Sequence, residues 1–280
     1  MIIYKDFFED YLSAVLSVQN YTDYISINKC YQDGLASFRA LQFEEGLSSF
    51  KKGEDLCNAI SDNTMLDWVN TIAYPAKAYY FYKTNNYNNA IEYTQKAIFL
   101  FECLYDQGHE LNVFGVIQQY HNLSRIYFTY KEFEKAVALS IEIFGLLLTG
   151  RSPITSARIT DNQYKEQKDF LISGYVTQVI NEALYSILRL SGPKSSIQKH
   201  LSNLLCGLYK SLDANKDSLL YKRCQWLFLF SPIVNKQESF KKIDALDSTI
   251  YNNKKKDIII LSKYLTFFTS NKRKYESKIA

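Results

Sequence analysis

The chain has 280 residues, 33 Lys and Arg against 29 Asp and Glu, and 47% hydrophobic side chains. That apolar share excludes wholesale disorder, and 10 Gly with 4 Pro are too few turn-formers for many short strands. Lys5, Asp6, Glu9 and Asp10 interrupt the apolar N-terminus, and no later run reaches about 18 uninterrupted apolar residues, so the expectation is a cytoplasmic chain without a membrane span.

The small net charge of +4 hides an asymmetry. From Ser191 to Ala280 there are 17 basic and 7 acidic residues, which leaves 16 and 22 in the preceding part. Five cysteines (Cys30, Cys57, Cys103, Cys206, Cys224) are widely spaced with no Cys-x-x-Cys pair, so reduced packing thiols are expected rather than a disulfide framework. The 23 Tyr and 18 Phe suit the wide gaps between stacked helices.

In chain order, Phe7, Phe8, Tyr11, Leu12, Val15 and Leu16 predict a first helix over 2–18. Asn20 to Asp23 reads as a break, with Thr22 or Asp23 capping a helix from Tyr24 to Ala40. A helix from Gln42 to Ile60 follows, then one from Met65 to Tyr82 in which Pro75 implies a kink or a late start near Tyr74. Helices over Tyr87–Tyr105, Asn112–Thr129 and Phe133–Leu148 come next, with Gly108 suited to a left-handed cap. Gly150 and Pro153 together mark the strongest break and divide the chain into 1–150 and 151–280. Beyond it, helical spacing covers Asn162–Leu190, Ser195–Leu212, Asp217–Phe230, Gln237–Tyr251 and Lys256–Thr269.

Three of these segments match. Phe43, Tyr87 and Phe133 each open a helix, and Gly46, Ala90 and Ala136 follow three residues later. The aromatics stand 44 and 46 residues apart by their numbering. With Ser37 and Phe38, Phe81 and Tyr82, and Tyr127 and Phe128 on the preceding helices, the pattern over 24–148 resembles the tetratricopeptide repeat. It is clearest in Tyr120, Leu123, Ser124, Tyr127, Phe133, Ala136 and Ser140. The period is about ten residues longer than the usual 34, so longer helices or loops are implied. The resemblance implies an all-α fold: an α-solenoid of antiparallel helix pairs over 1–150 with an N-terminal helix. A helical C-terminal region, 151–280, extends it, and degenerate repeats there, with Asp217–Phe230 and Gln237–Tyr251 as an eroded fourth pair, could continue the same solenoid.

In that family the first helix of each pair lines the concave face. By spacing, this nominates Tyr31, Leu35 and Arg39, then Tyr79, Tyr82 and Lys83, then Gln118, His121, Asn122 and Arg125. Arg39, Lys83 and Arg125 would set positive charge along one groove, suited to an acidic peptide or a C-terminal carboxylate.

No phosphate loop, dinucleotide glycine pattern, His-Glu-x-x-His or Gly-x-Ser-x-Gly occurs, and His109, His121 and His200 lack metal-ligand spacing. The reading is therefore of a non-enzymatic protein- or peptide-binding scaffold with no catalytic residue, cofactor or metal. Lys254–Lys256 and Lys272–Lys274, beside Tyr264, Phe267, Phe268 and Tyr275, keep open a ligand-sensing regulator whose basic tail binds nucleic acid. An accessory subunit of a peptide-modifying enzyme and a homo-oligomer also stay open.

Overall fold

Three turns of one geometry organise the chain. Leu41, Asn85 and Lys131 have φ of 63°, 60° and 66°, the left-handed region. Each stands two residues before one of the repeated aromatics, so the turns recur at the same spacings of 44 and 46. At each, two backbone amides reach back to the carbonyls three and five residues earlier. Leu41 N donates to Phe38 O at 3.2 Å and Gln42 N to Ser37 O at 2.9 Å. Asn85 and Asn86 donate to Tyr82 and Phe81 at 3.2 and 2.8 Å, and Lys131 and Glu132 to Phe128 and Tyr127 at 3.2 and 2.9 Å. This is the Schellman closure of a helix, which satisfies its last carbonyls while reversing the chain.

The computed structural model describes residues 2–160, 165–190 and 194–213. The helices are α1 (Ile2–Val15), α2 (Val18–Arg39), α3 (Phe43–Asn58), α4 (Asn63–Lys83), α5 (Tyr87–Asp106), α6 (Asn112–Thr129), α7 (Phe133–Thr149), α8 (Lys165–Leu190) and α9 (Lys194–Asp213). Among the described residues there is no strand; an isolated bridge joins Ser152 and Thr155. The last three predicted helices and both Lys-rich clusters of the tail lie outside the described residues.

Helix α2 packs on α3, α4 on α5 and α6 on α7; between pairs, α2 meets α4, α5 meets α6, α6 and α7 meet α8, and α7 meets α9. Most of these contacts join helices adjacent in sequence, while α2–α4, α6–α8 and α7–α9 skip one helix. Inside the first pair the helices approach through glycine. A Cβ on Gly46 would lie 2.3 Å from Phe38 Cε1, and one on Gly34 would lie 2.5 Å from Phe50 Cδ1. The two phenylalanines meet edge to face at 4.9 Å between centroids. In the later pairs Ala90 and Ala136, at the place of Gly46, are fully buried. Of the repeated aromatics, Phe133 is buried and Phe43 and Tyr87 are half-buried.

Two apolar clusters result. Leu12, Tyr24, Ile27, Tyr31, Phe38, Phe50, Trp68 and their neighbours fill the first. The second runs from Phe101 through α6 and α7 to Leu208 of α9, so the described part of 151–280 shares a core with the repeats before it. Cys30, Cys57, Cys103 and Cys206 are free thiols. No described helix is long and apolar enough to cross a membrane.

Two sequence expectations are corrected. The break expected at Asn20–Asp23 is inside α2; the cap is Ser17, whose hydroxyl accepts from Asn20 N at 3.2 Å, and Thr22 donates to Val18 O at 2.8 Å instead of capping. Pro75 does not delay α4, which starts from the Asp62 cap and carries the proline in its interior. Tertiary packing of Met65, Trp68, Val69, Ala73 and Ala76 on both sides of the proline outweighs the lost backbone bond.

Leucine in the left-handed region costs roughly 1–2 kcal/mol, and the Leu41 side chain is 69% exposed, so little packing compensates. Leu41→Gly is expected to raise unfolding stability by about 1 kcal/mol. Gly46→Ala should lower it by about 1–3 kcal/mol, because the Phe38 ring is enclosed and has nowhere to move. Urea midpoints measure both; a lowered midpoint for Leu41→Gly would remove the turn argument.

Candidate binding face

Arg39 and Lys83 end α2 and α4, where a cation complements the negative end of the helix dipole. Each stands two residues before a left-handed turn residue, so they are equivalent positions of two repeats. The same place before Lys131 holds Thr129, not Arg125, which sits one turn earlier on α6. Arg39 Cζ lies 5.6 Å and Lys83 Nζ 5.5 Å from the centroid of one ring, that of Tyr79. Such placement over a π face favours each cation by about 0.5–1 kcal/mol at an exposed site.

Next to Tyr79, a small cleft of about 60 Å³ opens between α4, α5 and α6. Tyr82, Asn122 and Arg125 supply its polar rim; Pro75, Ala78 and Ile126 supply much of the apolar wall. The Tyr82 and Thr129 hydroxyls are hydrogen-bonded at 3.0 Å and tie α4 to α6. From Tyr79 the rings continue in contact through Tyr82, Tyr87 and Tyr130, with centroids 6.5, 6.3 and 5.3 Å apart. Gln118 Nε2 donates to Asn122 Oδ1 at 3.3 Å, and Asn122 Nδ2 donates to Gln119 Oε1 at 3.1 Å, which orients the Asn122 amide on the rim.

Of the nominated residues, the structure gathers Arg39, Tyr79, Lys83 and Arg125, with Tyr82 and Asn122, on one face, and Gln118 supports Asn122 there. It removes Tyr31 and His121. Tyr31 is 1% exposed, its ring 5.0 Å from Phe50, and burial followed by the nearby Cys57 pushes its phenol well above the ordinary value. The spacing that nominated it points inward because α2 begins at Val18 and buries Tyr24, Ile27, Tyr31 and Phe38 as a single stripe. Leu35 packs half-buried against the same cluster.

His121 is 1% exposed beneath a carboxylate that the sequence did not nominate, Glu182 of α8. Arg125 Nε lies 2.9 Å from Glu182 Oε2, and His121 Nε2 lies 3.3 Å from the same oxygen. The imidazole is close enough for an ion pair but poorly directed for a hydrogen bond, and neither ring nitrogen has a hydrogen-bond partner among the described residues. Gln178 Nε2 donates to the other carboxylate oxygen at 3.2 Å. Burial acts most strongly on Glu182 and opposes its charge, but His121, Arg125 and Gln178 together outweigh it and hold the carboxyl below its ordinary value. No local signal marks Glu182: a charge on an amphipathic helix is ordinarily solvated, and only the packing of α8 on α6 brings it to Arg125.

Compared with protein-family models, with curated proteins and with solved structures, the chain gives no match in any of the three. Among the described residues no group of three or more His, Cys, Asp or Glu side chains is placed to hold a metal ion. The chemistry on this face is charge, aromatic surface and amide hydrogen bonding.

Because the folded-state pKa of Glu182 is depressed, its stabilising effect is present above the unfolded value of about 4.3 and is lost as pH falls through the lower folded value. Glu182→Gln is expected to cost about 1 kcal/mol at neutral pH, modest because the pair is part-exposed. The gap from the unaltered chain should close in acid below about pH 4. Denaturant midpoints at pH 7 and pH 3 measure it; an equal gap at both values would show that the carboxylate charge is not what matters.

Proposed function

We propose that the chain is a non-enzymatic cytoplasmic scaffold, a solenoid of tetratricopeptide-like helix pairs that holds an acidic protein or peptide segment across α2, α4 and α6. The observation that carries this reading is the convergence of Arg39 and Lys83 on Tyr79. Neither cation has an ion-pair partner among the described residues, although they are held against the same ring. Two cations kept near each other without a counter-charge suit an anionic group supplied from outside.

The tyrosine series extends the surface beyond the charges. Half-buried tyrosines present rigid contact area with hydroxyl tips at small entropic cost. An extended segment whose carboxylate meets Arg39 or Lys83 beside Tyr79 could run along Tyr82 and Tyr87 to Tyr130, the last of which is 44% exposed. Arg125 contributes less, because Glu182 already neutralises it.

The test is an array of acidic peptides, with free and amidated C-termini, probed with the full chain. The chain should retain acidic sequences and lose them with rising salt. Arg39→Glu and Lys83→Glu should each weaken retention by about tenfold or more, and Tyr79→Leu by a comparable amount, while Arg125→Glu should matter less. Equal retention by the Arg39→Glu, Lys83→Glu double variant would overturn the placement of the site.

A further inference from the structure

We infer that residues 151–158, just after α7, form a second ligand site, one that binds a phosphate monoester between Arg151 and Arg158. An open cavity of about 290 Å³ is lined there by Arg151, Ser152, Pro153, Thr155, Ser156 and Arg158. Arg151 and Arg158 both line this cavity; among the described residues no lining residue is acidic, and neither arginine has an ion-pair partner. Guanidinium forks match the oxygens of phosphate in pairs and are favoured wherever such an anion is recognised.

The loop is held in place before any ligand arrives. Gly150, at φ 73°, ends α7, and its carbonyl accepts from Ile159 N at 3.0 Å, which pins the base. Residues 152 and 155 form a bridge at the tip. Two tyrosines fasten the loop to the helices below: the Tyr120 hydroxyl donates to Ile154 O at 2.5 Å, and the Tyr105 hydroxyl to Arg158 O at 3.3 Å. Burial, then the nearby Glu102, pushes the Tyr120 phenol up to about 12, so it remains a donor across the physiological range. A rim fixed at four places loses little further freedom on binding.

The hydroxyls divide by role. The Ser152 proton is committed to Glu142 Oε2 at 2.9 Å, so Ser152 has none left for a ligand. The Thr155 hydroxyl accepts from Ala157 N at 3.1 Å and keeps its own proton to donate. Ser156 is exposed on the same wall. Two forks and two hydroxyl donors exceed what a planar carboxylate can use and suit the three free oxygens of a phosphate ester. Of the described acidic groups, Glu142 is engaged by the Ser152 hydroxyl and Glu110 by the Thr160 hydroxyl at 3.0 Å. The site is separate from the face formed by Arg39, Tyr79 and Lys83.

The test is calorimetric titration of the full chain at low ionic strength with inorganic phosphate, phosphoserine and, as a control, serine. Saturable 1:1 binding of phosphoserine with a Kd of about 1 mM or tighter is expected, with serine silent. Tighter phosphoserine than inorganic phosphate supports an ester ligand; the reverse order overturns the ester and leaves a free-anion site. Arg151→Ala and Arg158→Ala should each weaken binding by about tenfold, and Arg158→Lys by less, since it keeps the charge and loses the fork. Glu142→Gln should tighten it by removing a nearby negative charge. All four changes lie on part-exposed or exposed positions, and a melting curve on each variant verifies the fold. No heat with either phosphate compound, or unchanged affinity in the Arg151→Ala, Arg158→Ala double variant, overturns the site.

Discussion

The architecture depends on how the first and second helices of a pair close on each other. A left-handed residue at 41, 85 and 131 reverses the chain within two residues, so the second helix must return directly alongside the first. At that separation something small has to stand where the helices cross. Glycine at 34 and 46 and alanine at 90 and 136 meet that need, and the phenylalanine rings of the first pair occupy the space their missing side chains leave. The buried stripe, the pairing of neighbours and the common edge on which α2 and α4 end follow from this closure.

That common edge explains the charge arrangement. Helix ends that recur at the same place bring their last-turn residues to the same place, so Arg39 and Lys83 reach one tyrosine without any motif linking them in sequence. Favourable placement at a helix C-terminus and attraction to the ring face reinforce each other there. On α6 the arrangement departs from the repeat. The equivalent position is Thr129, whose hydroxyl meets that of Tyr82, and the cation one turn earlier is taken up by Glu182. The Arg125, Glu182 and His121 cluster therefore ties α6 to α8, whereas Arg39 and Lys83 keep their charge toward solvent.

Most of the helical order was legible because apolar periodicity and capping chemistry are local. The starts at Tyr87, Asn112 and Phe133 were read at their observed positions, and Gly108 takes the left-handed conformation expected of it. The errors are local as well. Thr22 and Asp23 have good capping chemistry, but Ser17 caps first, and Thr22 turns its hydroxyl back to Val18. The recurring left-handed turn was hidden, because Leu41 and Lys131 are residues that seldom adopt that conformation.

The candidate site was legible only in part. Helical spacing placed Arg39, Tyr79, Lys83 and Arg125 on one side of their helices, but spacing gives the angle of a side chain and not what lies opposite it. Tyr31 and His121 have the same periodicity as the surface residues and are buried, one by Phe50 and the other beneath Glu182. By itself, then, the sequence determined the helices, the pairing of neighbours and the small residues at the crossings, since these rest on contacts between residues close in the chain. The tertiary structure decided which charges are neutralised, which tyrosines are core, and that Arg151 and Arg158 share one cavity. Those outcomes turn on groups brought together from separate helices or from opposite ends of a loop, whose approach no local pattern encodes.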